Sequence, residues 1–411
     1  MLRKKRIIDD LPTSKTQGVF IGLSELKGTA ESESPFISYL AERSCVHFSY
    51  KVEEHWQRTV VETYTDGKGN VQTRTRTESG WKQVAEGGQS APFYLKDETG
   101  LIRIVPEGAD LHTTKIFDER VREDSPLYYG KGPAGAIANS THQRRFTEYA
   151  LPLHAFLYVL GQARERQDIA AAEIARDKAS PLFIISTRTE KQISRGYAGW
   201  FWMWLVLGFL VAMGAAVGWL WVSGGTVNWQ PFFIMGGAYL LAVVLVYLWT
   251  TYNNLINLHH RVQQGWSQVD VQLKRRYDLI PNLVAVVQAY KEHEQDTQQT
   301  LAALRAQMAA TPAGREGPDY RGLNVTLKAL VERYPELKAN ESFLKLHKAL
   351  VDCEERIALA RDYYNQVVTF YNTRLEIIPE RYAAGLARLK PDTLMSAADF
   401  ERAPVSVNLA D

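Results

Sequence analysis

The chain is poor in residues that carry chemistry. Its 411 residues include two cysteines, Cys45 and Cys353, in opposite halves of the sequence. Two thiols cannot build a zinc site of three or four cysteine ligands, and their scarcity suits a reducing compartment. An excess of one charge is also missing: 48 Lys and Arg face 46 Asp and Glu, a net charge of +2. That leaves no concentrated basic face, so nucleic acid is not an expected partner. The Gly130–Gly135 loop, with Ala134-Gly135-Ala136, lacks the helix pattern that a phosphate cradle needs after it. Glu-x-x-His, the pair from which bundles build dinuclear metal sites, is absent, since His293 follows Tyr290 and His347 follows Leu344 at that spacing. No Ser/His/Asp arrangement stands out. The expectation is a protein with no catalytic residues, no metal and no cofactor.

Two stretches lack something else. Residues 199–222 and 232–252 contain no Asp, Glu, Lys, Arg or His, and each matches the roughly 20 residues that cross a bilayer core. Trp200, Trp202 and Trp204 mark one end of the first run. Trp219, Trp221 and Trp229 cluster at the turn, and Tyr247, Trp249 and Tyr252 mark the exit. Such bands form an aromatic belt. The plainer alternative, a pair of buried core helices, does not explain those bands. The turn at 223–231 has no Lys or Arg, whereas Lys191, Arg195, Arg261, Lys274, Arg275 and Arg276 flank the runs. The positive-inside rule then places both flanking bodies in the cytoplasm, joined by a transmembrane hairpin. Gly214 and Gly218 form a GxxxG, with Ala212 and Ala216 a second small pair at that spacing. They either pack on Gly236–Gly237 of the second span or form a seam between copies.

Residues 1–17 read as a basic, flexible N-terminus. Arg3–Arg6 is able to touch anionic lipid, and no apolar run of signal length follows it. Residues 18–195 read as β-rich. Cys45–Val52 alternates as a half-buried strand does, and Arg58–Tyr64 with Val71–Thr77 flanks a Gly-bearing loop as a hairpin. Trp81–Ala85, Ala91–Leu95, Leu101–Val105, Ala155–Gly161 and Pro181–Ser186 supply further strands, implying a small barrel or sandwich. Arg164–Lys178 reads as a charged, Ala-rich surface helix, and Asp97-Glu98-Thr99-Gly100 as a turn. Cys45 and His47 share one strand face, but nothing supplies the third group that a Cys–His nucleophile needs. Ser44-Cys45-Val46, Val52-Glu53-Glu54, Pro92-Phe93-Tyr94-Leu95, Val105-Pro106-Glu107-Gly108-Ala109 and Leu157–Gly161 resemble the GIDE domain. That resemblance implies a membrane-proximal β module. In the ubiquitin ligases that carry it, the chemistry belongs to a separate zinc-binding RING.

Residues 253–389 repeat apolar positions at spacings of three and four, the mark of amphipathic helices. One continues from the second span through Pro281, where a kink is expected. A short one covers Gly322–Arg333, and a second long one runs from Phe343 to Ile378. They predict an antiparallel all-α bundle with coiled-coil-like packing, followed by a loose tail at 390–411. Trp266–Val284, Tyr334–Asn340, Glu355-Arg356-Ile357 and Tyr371-Asn372 are similar to the LemA family. The resemblance implies a membrane-anchored helical bundle of a bacterial inner membrane, without settled enzymatic activity. Some relatives shape internal membranes, and a membrane protease is a possible partner. Arg275, Arg276, Asp278, Pro281 and Asn282 crowd one stretch, as either a contact surface for a protomer or lipid or an internal network fixing helix register. Asn282 or an Arg from the partner helix is expected to satisfy the carbonyl of residue 277 that Pro281 frees. The whole reads as a multidomain membrane protein: a self-associating scaffold on the bilayer, a protease or signalling adaptor, or, least supported, a Cys45-dependent enzyme.

Overall fold

The computed structural model describes residues 2–65, 71–166, 168, 171–177, 182–222, 229–290 and 341–395. Two compact units emerge, one of Thr13–Ile193 and one of Met1–Pro12 with Ser194–Asp411.

The first unit carries strands β1 (Thr13–Ser14), β2 (Gly22–Glu31), β3 (Phe36–Ile37), β4 (Ser44–Thr65), β5 (Val71–Ser90), β6 (Phe93–Lys96), β7 (Leu101–Ile104), β8 (Asp110–His112), β9 (Thr114–Arg122), β10 (Ser140–Pro152), β11 (Phe156–Glu165), β12 (Ala172–Ala175) and β13 (Ile184–Ser186). In one sheet β2 pairs with β6, β6 with β7, β7 with β12, β12 with β11 and β11 with β2 again. The ring is therefore closed, and closure leaves these strands without an open edge. Leu26, Ala30, Phe93, Leu95, Ile104 and Val159 fill it. The expected small barrel is present. The second sheet runs β3-β4-β10-β9, with β5 on β4. Here the sequence reading was too fragmented. The two strands read at 45–52 and 58–64 are one 22-residue strand, with a bulge where Val52 and Glu53 shift register against β5. The expected surface helix at 164–178 is corrected to strand: Glu173, Ile174 and Ala175 are buried in β12 between β7 and β11. Short side chains there suit a tight ring, and Glu173 is held by Arg164 at 2.8 Å.

In the second unit, helix α3 (Glu190–Val222) and helix α4 (Gln230–Tyr290) hold the two apolar runs, both long and apolar enough to cross a membrane. A five-residue helix, α2 (Pro126–Gly130), belongs to the first unit. α4 continues past the run and through Pro281. Helix α5 (Glu341–Glu376) packs along it, followed by α6 (Glu380–Leu386). Contacts run His259 to Tyr371, Trp266 to Tyr364, Gln272 to Cys353 and Arg276 to Glu354, so α4 and α5 are antiparallel. The buried stripe of α5 is Phe343, His347, Leu350, Cys353, Ile357, Ala360, Tyr364, Val367 and Tyr371. His347 belongs to the stripe while Leu346 is only half-buried; His347 stacks on Phe343, and burial lowers its proton affinity. The helix expected at 322–333 lies outside the described residues.

The N-terminus is a further correction. Residues 2–9 form helix α1, and Ile7, Ile8 and Leu11 are buried. Ile7 and Ile8 lie in the last turn of the helix and Leu11 just beyond it, and the acids Asp9 and Asp10 find basic or polar partners in the same unit. A segment so fastened is no flexible tail.

Candidate functional site

The five polar residues singled out around Pro281 do not form one cluster. Arg276 is 4 % exposed. Its Nη1 lies 3.4 Å from Glu354 Oε1 on α5, and Arg275 Nη2 lies 3.9 Å from Asp352. Between those acids Cys353 donates its thiol proton to the Gln272 carbonyl at 3.3 Å, and burial pushes that thiol up to about 11. Asp278, Pro281 and Asn282 are exposed. At 3.6 residues per turn they stand about 140–240° around the helix from Arg276. Asn282 Nδ2 donates to the Asp278 carbonyl at 3.2 Å, one residue beyond the carbonyl that Pro281 frees.

Gly214 and Gly218 do not pack on α4. A Cβ at either would meet no atom within 4 Å, and the same holds at Gly237. The seam lies elsewhere. A Cβ on Gly208 would come within 2.9 Å of the Tyr239 hydroxyl, one on Gly236 within 3.3 Å of Met213, and Ala216 is fully buried. Tyr239 donates its hydroxyl to the Leu205 carbonyl at 2.6 Å. A tyrosine hydroxyl in an apolar setting needs such a partner, which fixes the rotation of α3 and turns the GxxxG outward.

Where the apolar runs end, α1 ties four helices together. Arg374 of α5 donates to Asp10 through Nε at 3.0 Å and Nη2 at 2.8 Å, and through Nη1 to Glu380 of α6 at 3.3 Å. Burial disfavours the Arg374 charge, but Asp10 and Glu380 outweigh it and raise its proton affinity. Asn254 of α4 donates to Asp10 at 3.1 Å, and Ser194 of α3 donates to Asp9 at 2.6 Å. Arg6, 6 % exposed, donates to Thr251 at 3.0 Å and lies over the Tyr247 ring. A cleft of about 260 Å³ opens among Lys5, Arg6, Trp202, Tyr247, Arg374 and Glu380. Sequence reasoning missed this knot. The available signal was the apolar trio Ile7, Ile8 and Leu11 beside paired charges, too short to outweigh the basic composition.

The tail, expected to be loose, is fastened over 390–395. Tyr371 donates to the Lys390 carbonyl at 3.1 Å, and Tyr364 to the Thr393 carbonyl at 3.0 Å. Asn372 bonds both ways with Asp392, donating to its carbonyl at 2.8 Å and accepting from its N–H at 3.0 Å. Asn365 does the same with Met395 at 3.1 and 2.9 Å. His259 has its Nδ1 3.4 Å from Asp392 and its ring 5.5 Å from that of Tyr371.

In the barrel unit, Cys45 is fully buried, its thiol pushed up to about 11 by burial and, secondarily, by the Glu148 charge. Burial lowers the proton affinity of His47. A neutral buried thiol is a poor nucleophile. No group of three metal-ligating side chains occurs among the described residues. Asp97 forms a turn, accepting from the backbone N–H of Thr99 and Gly100 and from Thr16. The Gly130–Gly135 loop is organised by Arg144, which donates to the carbonyls of Tyr128, Pro133 and Gly135 at 2.7–2.8 Å.

Residues 265–409 match the LemA family. The chain carries a LemA domain. Residues 61–219 match GIDE, a family described as E3 ubiquitin ligase. The chain is 20 % identical over 161 residues to protein LemA of Metamycoplasma hominis, covering 38 % of this chain and 74 % of that one. It is 23 % identical over 171 residues to magnetosome protein MamQ 2 of Paramagnetospirillum magneticum, covering 34 % and 62 %. It is 22 % identical over 182 residues to magnetosome protein MamQ of Magnetospirillum gryphiswaldense, covering 36 % and 66 %. The chain thus spans less than two thirds of these magnetosome relatives. The knot's Arg374 and the bonded tail both fall within the LemA match, whereas α1 lies outside both matches.

Proposed function

We propose that the protein is a non-enzymatic, multi-pass membrane scaffold. α3 and α4 insert as a hairpin into the bacterial inner membrane, both compact units face the cytoplasm, and copies associate in the bilayer. One observation carries the reading: the most apolar windows of α3 and α4, each of mean hydropathy 2.2, have 6 % and 0 % of their residues buried inside the protein. So large an apolar surface needs a cover, and lipid is the cover that such length and composition fit. The outward GxxxG at Gly214 and Gly218 supports association between copies, because small residues let helices approach closely in lipid. The LemA match and the magnetosome relatives support a membrane-associated protein. The label of the GIDE match names ligase chemistry; the non-enzymatic reading is supported against it by these 411 residues holding two cysteines, both buried, where a RING needs paired zinc-binding cysteines.

The test is extraction. After cell breakage and alkaline carbonate washing, the protein should stay in the membrane pellet, and lysine-reactive crosslinking in those membranes should give a ladder of homo-oligomers. Recovery in the supernatant would end the reading; a strict monomer in the pellet would remove the scaffold and leave the membrane protein.

An adaptor for a membrane protease or another membrane protein is a second reading. It is favoured by the β4–β5 ribbon, whose distal half, from Gln57 to Tyr64 and from Thr73 to Ser79, is largely exposed. Exposed strand edges accept added strands. Mild-detergent co-purification that recovers one heterologous membrane protein in stoichiometric amount, lost on deletion of the ribbon, would support it.

A further inference from the structure

The four side chains that hold the tail repeat at one interval. Tyr364-Asn365 and Tyr371-Asn372 are the same dipeptide placed twice, seven residues apart on α5. Seven helical residues advance about 10.5 Å. Their two bonded targets, Asp392 and Met395, are three residues apart, and three residues of extended chain span about 10 Å. The helix and the extended segment are therefore commensurate, one heptad to one tripeptide. Each asparagine gives an N–H to a backbone carbonyl and takes a backbone N–H in return, and each tyrosine hydroxyl donates to one more carbonyl. All six bonds go to main chain. Such a ladder reads an extended backbone rather than side chains, as strand addition does at a sheet edge.

We propose that this ladder is an extended-peptide site, and that its occupant in the assembled protein is residues 390–395 of a second copy of the chain. The inference rests on the self-association reading and names the contact that produces it. Three observations point to a second copy. The segment is already complementary to the site, so exchange keeps every bond; swapping an identical element is a low-cost route to an oligomer. Arg388, just before the segment, takes φ +52° in the cap that ends α6, where the Leu389 N–H donates to the Ala384 carbonyl at 3.1 Å, so the chain leaves α6 at a turn complete before the segment begins and free of its bonds. The connection between α6 and the segment is only Ala387–Leu389, so exchange requires the α6 ends of two copies to meet. The surface there is suited to meeting: Ile378, Tyr382 and Leu386, four residues apart, are 65, 64 and 83 % exposed.

Two full-length chains with different tags, one carrying Thr369→Cys on α5 and the other Leu394→Cys in the segment, test this in native membranes. Thr369 lies on α5 between the two asparagines, and Leu394 is 55 % exposed. The native cysteines are buried. A short thiol crosslinker should join the two tags. Adding Asn365→Ala and Asn372→Ala to the Thr369→Cys chain should cut that yield by about fivefold or more, the loss expected for several hydrogen bonds. A chain bearing both cysteines serves as the internal reference. Crosslinks confined to single chains would overturn the proposal, as would a yield between tags no higher than with a cysteine at Glu341. Lysine-crosslinked oligomers without strap exchange would sink this contact and leave self-association standing; monomers throughout would sink both.

Discussion

Arg144 and Glu54 face each other with both side chains wholly buried, joined at 3.0 and 3.1 Å. Arg144 spends its remaining donors on three carbonyls of 128–135 and stacks 3.9 Å over the Tyr128 ring. Glu54 also accepts from Tyr128 at 3.1 Å and from Ser140 at 2.5 Å. The pair thus makes β4, β10 and an irregular loop one body.

Arg144→Met should therefore destabilise the chain by about 3–5 kcal/mol, since it leaves a buried carboxylate and three carbonyls unpaired. Denaturation of purified protein and protease cleavage near residues 130–136 would measure it. Gly132→Ala should act in the same direction, because a Cβ there falls 2.4 Å from the Tyr128 carbonyl oxygen and 2.7 Å from Arg144 Nη1. Unchanged protease resistance in both variants would refute the assignment.

Asp10→Ala should cost about 1.5–3 kcal/mol by removing two charge-assisted bonds from Arg374, which then keeps Glu380. Adding Arg374→Met should recover part of that loss, the non-additivity expected of groups in direct contact. Thermal unfolding in detergent reads both. Strictly additive losses would mean that the two residues are not coupled.

Cys45 should resist maleimide at pH 8, reacting roughly 100-fold more slowly than an exposed thiol, and should label readily after denaturation. The folded state holds the thiol proton more tightly than the unfolded chain does. Its stabilising contribution is therefore complete below the ordinary thiol range, near 8.5, and is lost as pH rises toward about 11. Cys45→Ala should flatten that part of the stability profile.

Gly208→Leu should disrupt the hairpin by driving a side chain into Tyr239. Gly214→Leu should leave the monomer's thermal stability within about 0.5 kcal/mol of the parent, as open surface positions do. If copies meet through the GxxxG, it should also weaken crosslinked oligomers. Equal destabilisation by both substitutions would contradict the outward orientation of Gly214.

What could be read from the sequence was what repeats locally. The period-two strands around 66–70, the charge-free runs and the stripe from Phe343 to Tyr371 each state their structure within a few turns or pleats. What escaped depends on distant partners. The Ala-rich stretch at 172–175 has helical composition, yet closing the barrel needs a strand between Ile104 and Gln162. Arg3–Arg6 looks solvated until Thr251 and Glu380 are placed beside Arg6. Residues 390–395 have no periodicity at all; their partners, Asn365 and Asn372, look like ordinary surface residues of an amphipathic helix. Arg276 was legible as a candidate, whereas its separation from Asp278 and Asn282 required the helix phase against α5.

The knot around α1 also sets a timetable. Asp10 leaves the ribosome before both apolar helices, while Arg374 and Glu380 leave after them. Both apolar helices must therefore find their places while the N-terminal clasp is still open. A chain stalled before residue 374 has both apolar helices but lacks the Arg374–Asp10 clasp, so the emergence of α5 and α6 is what closes the knot.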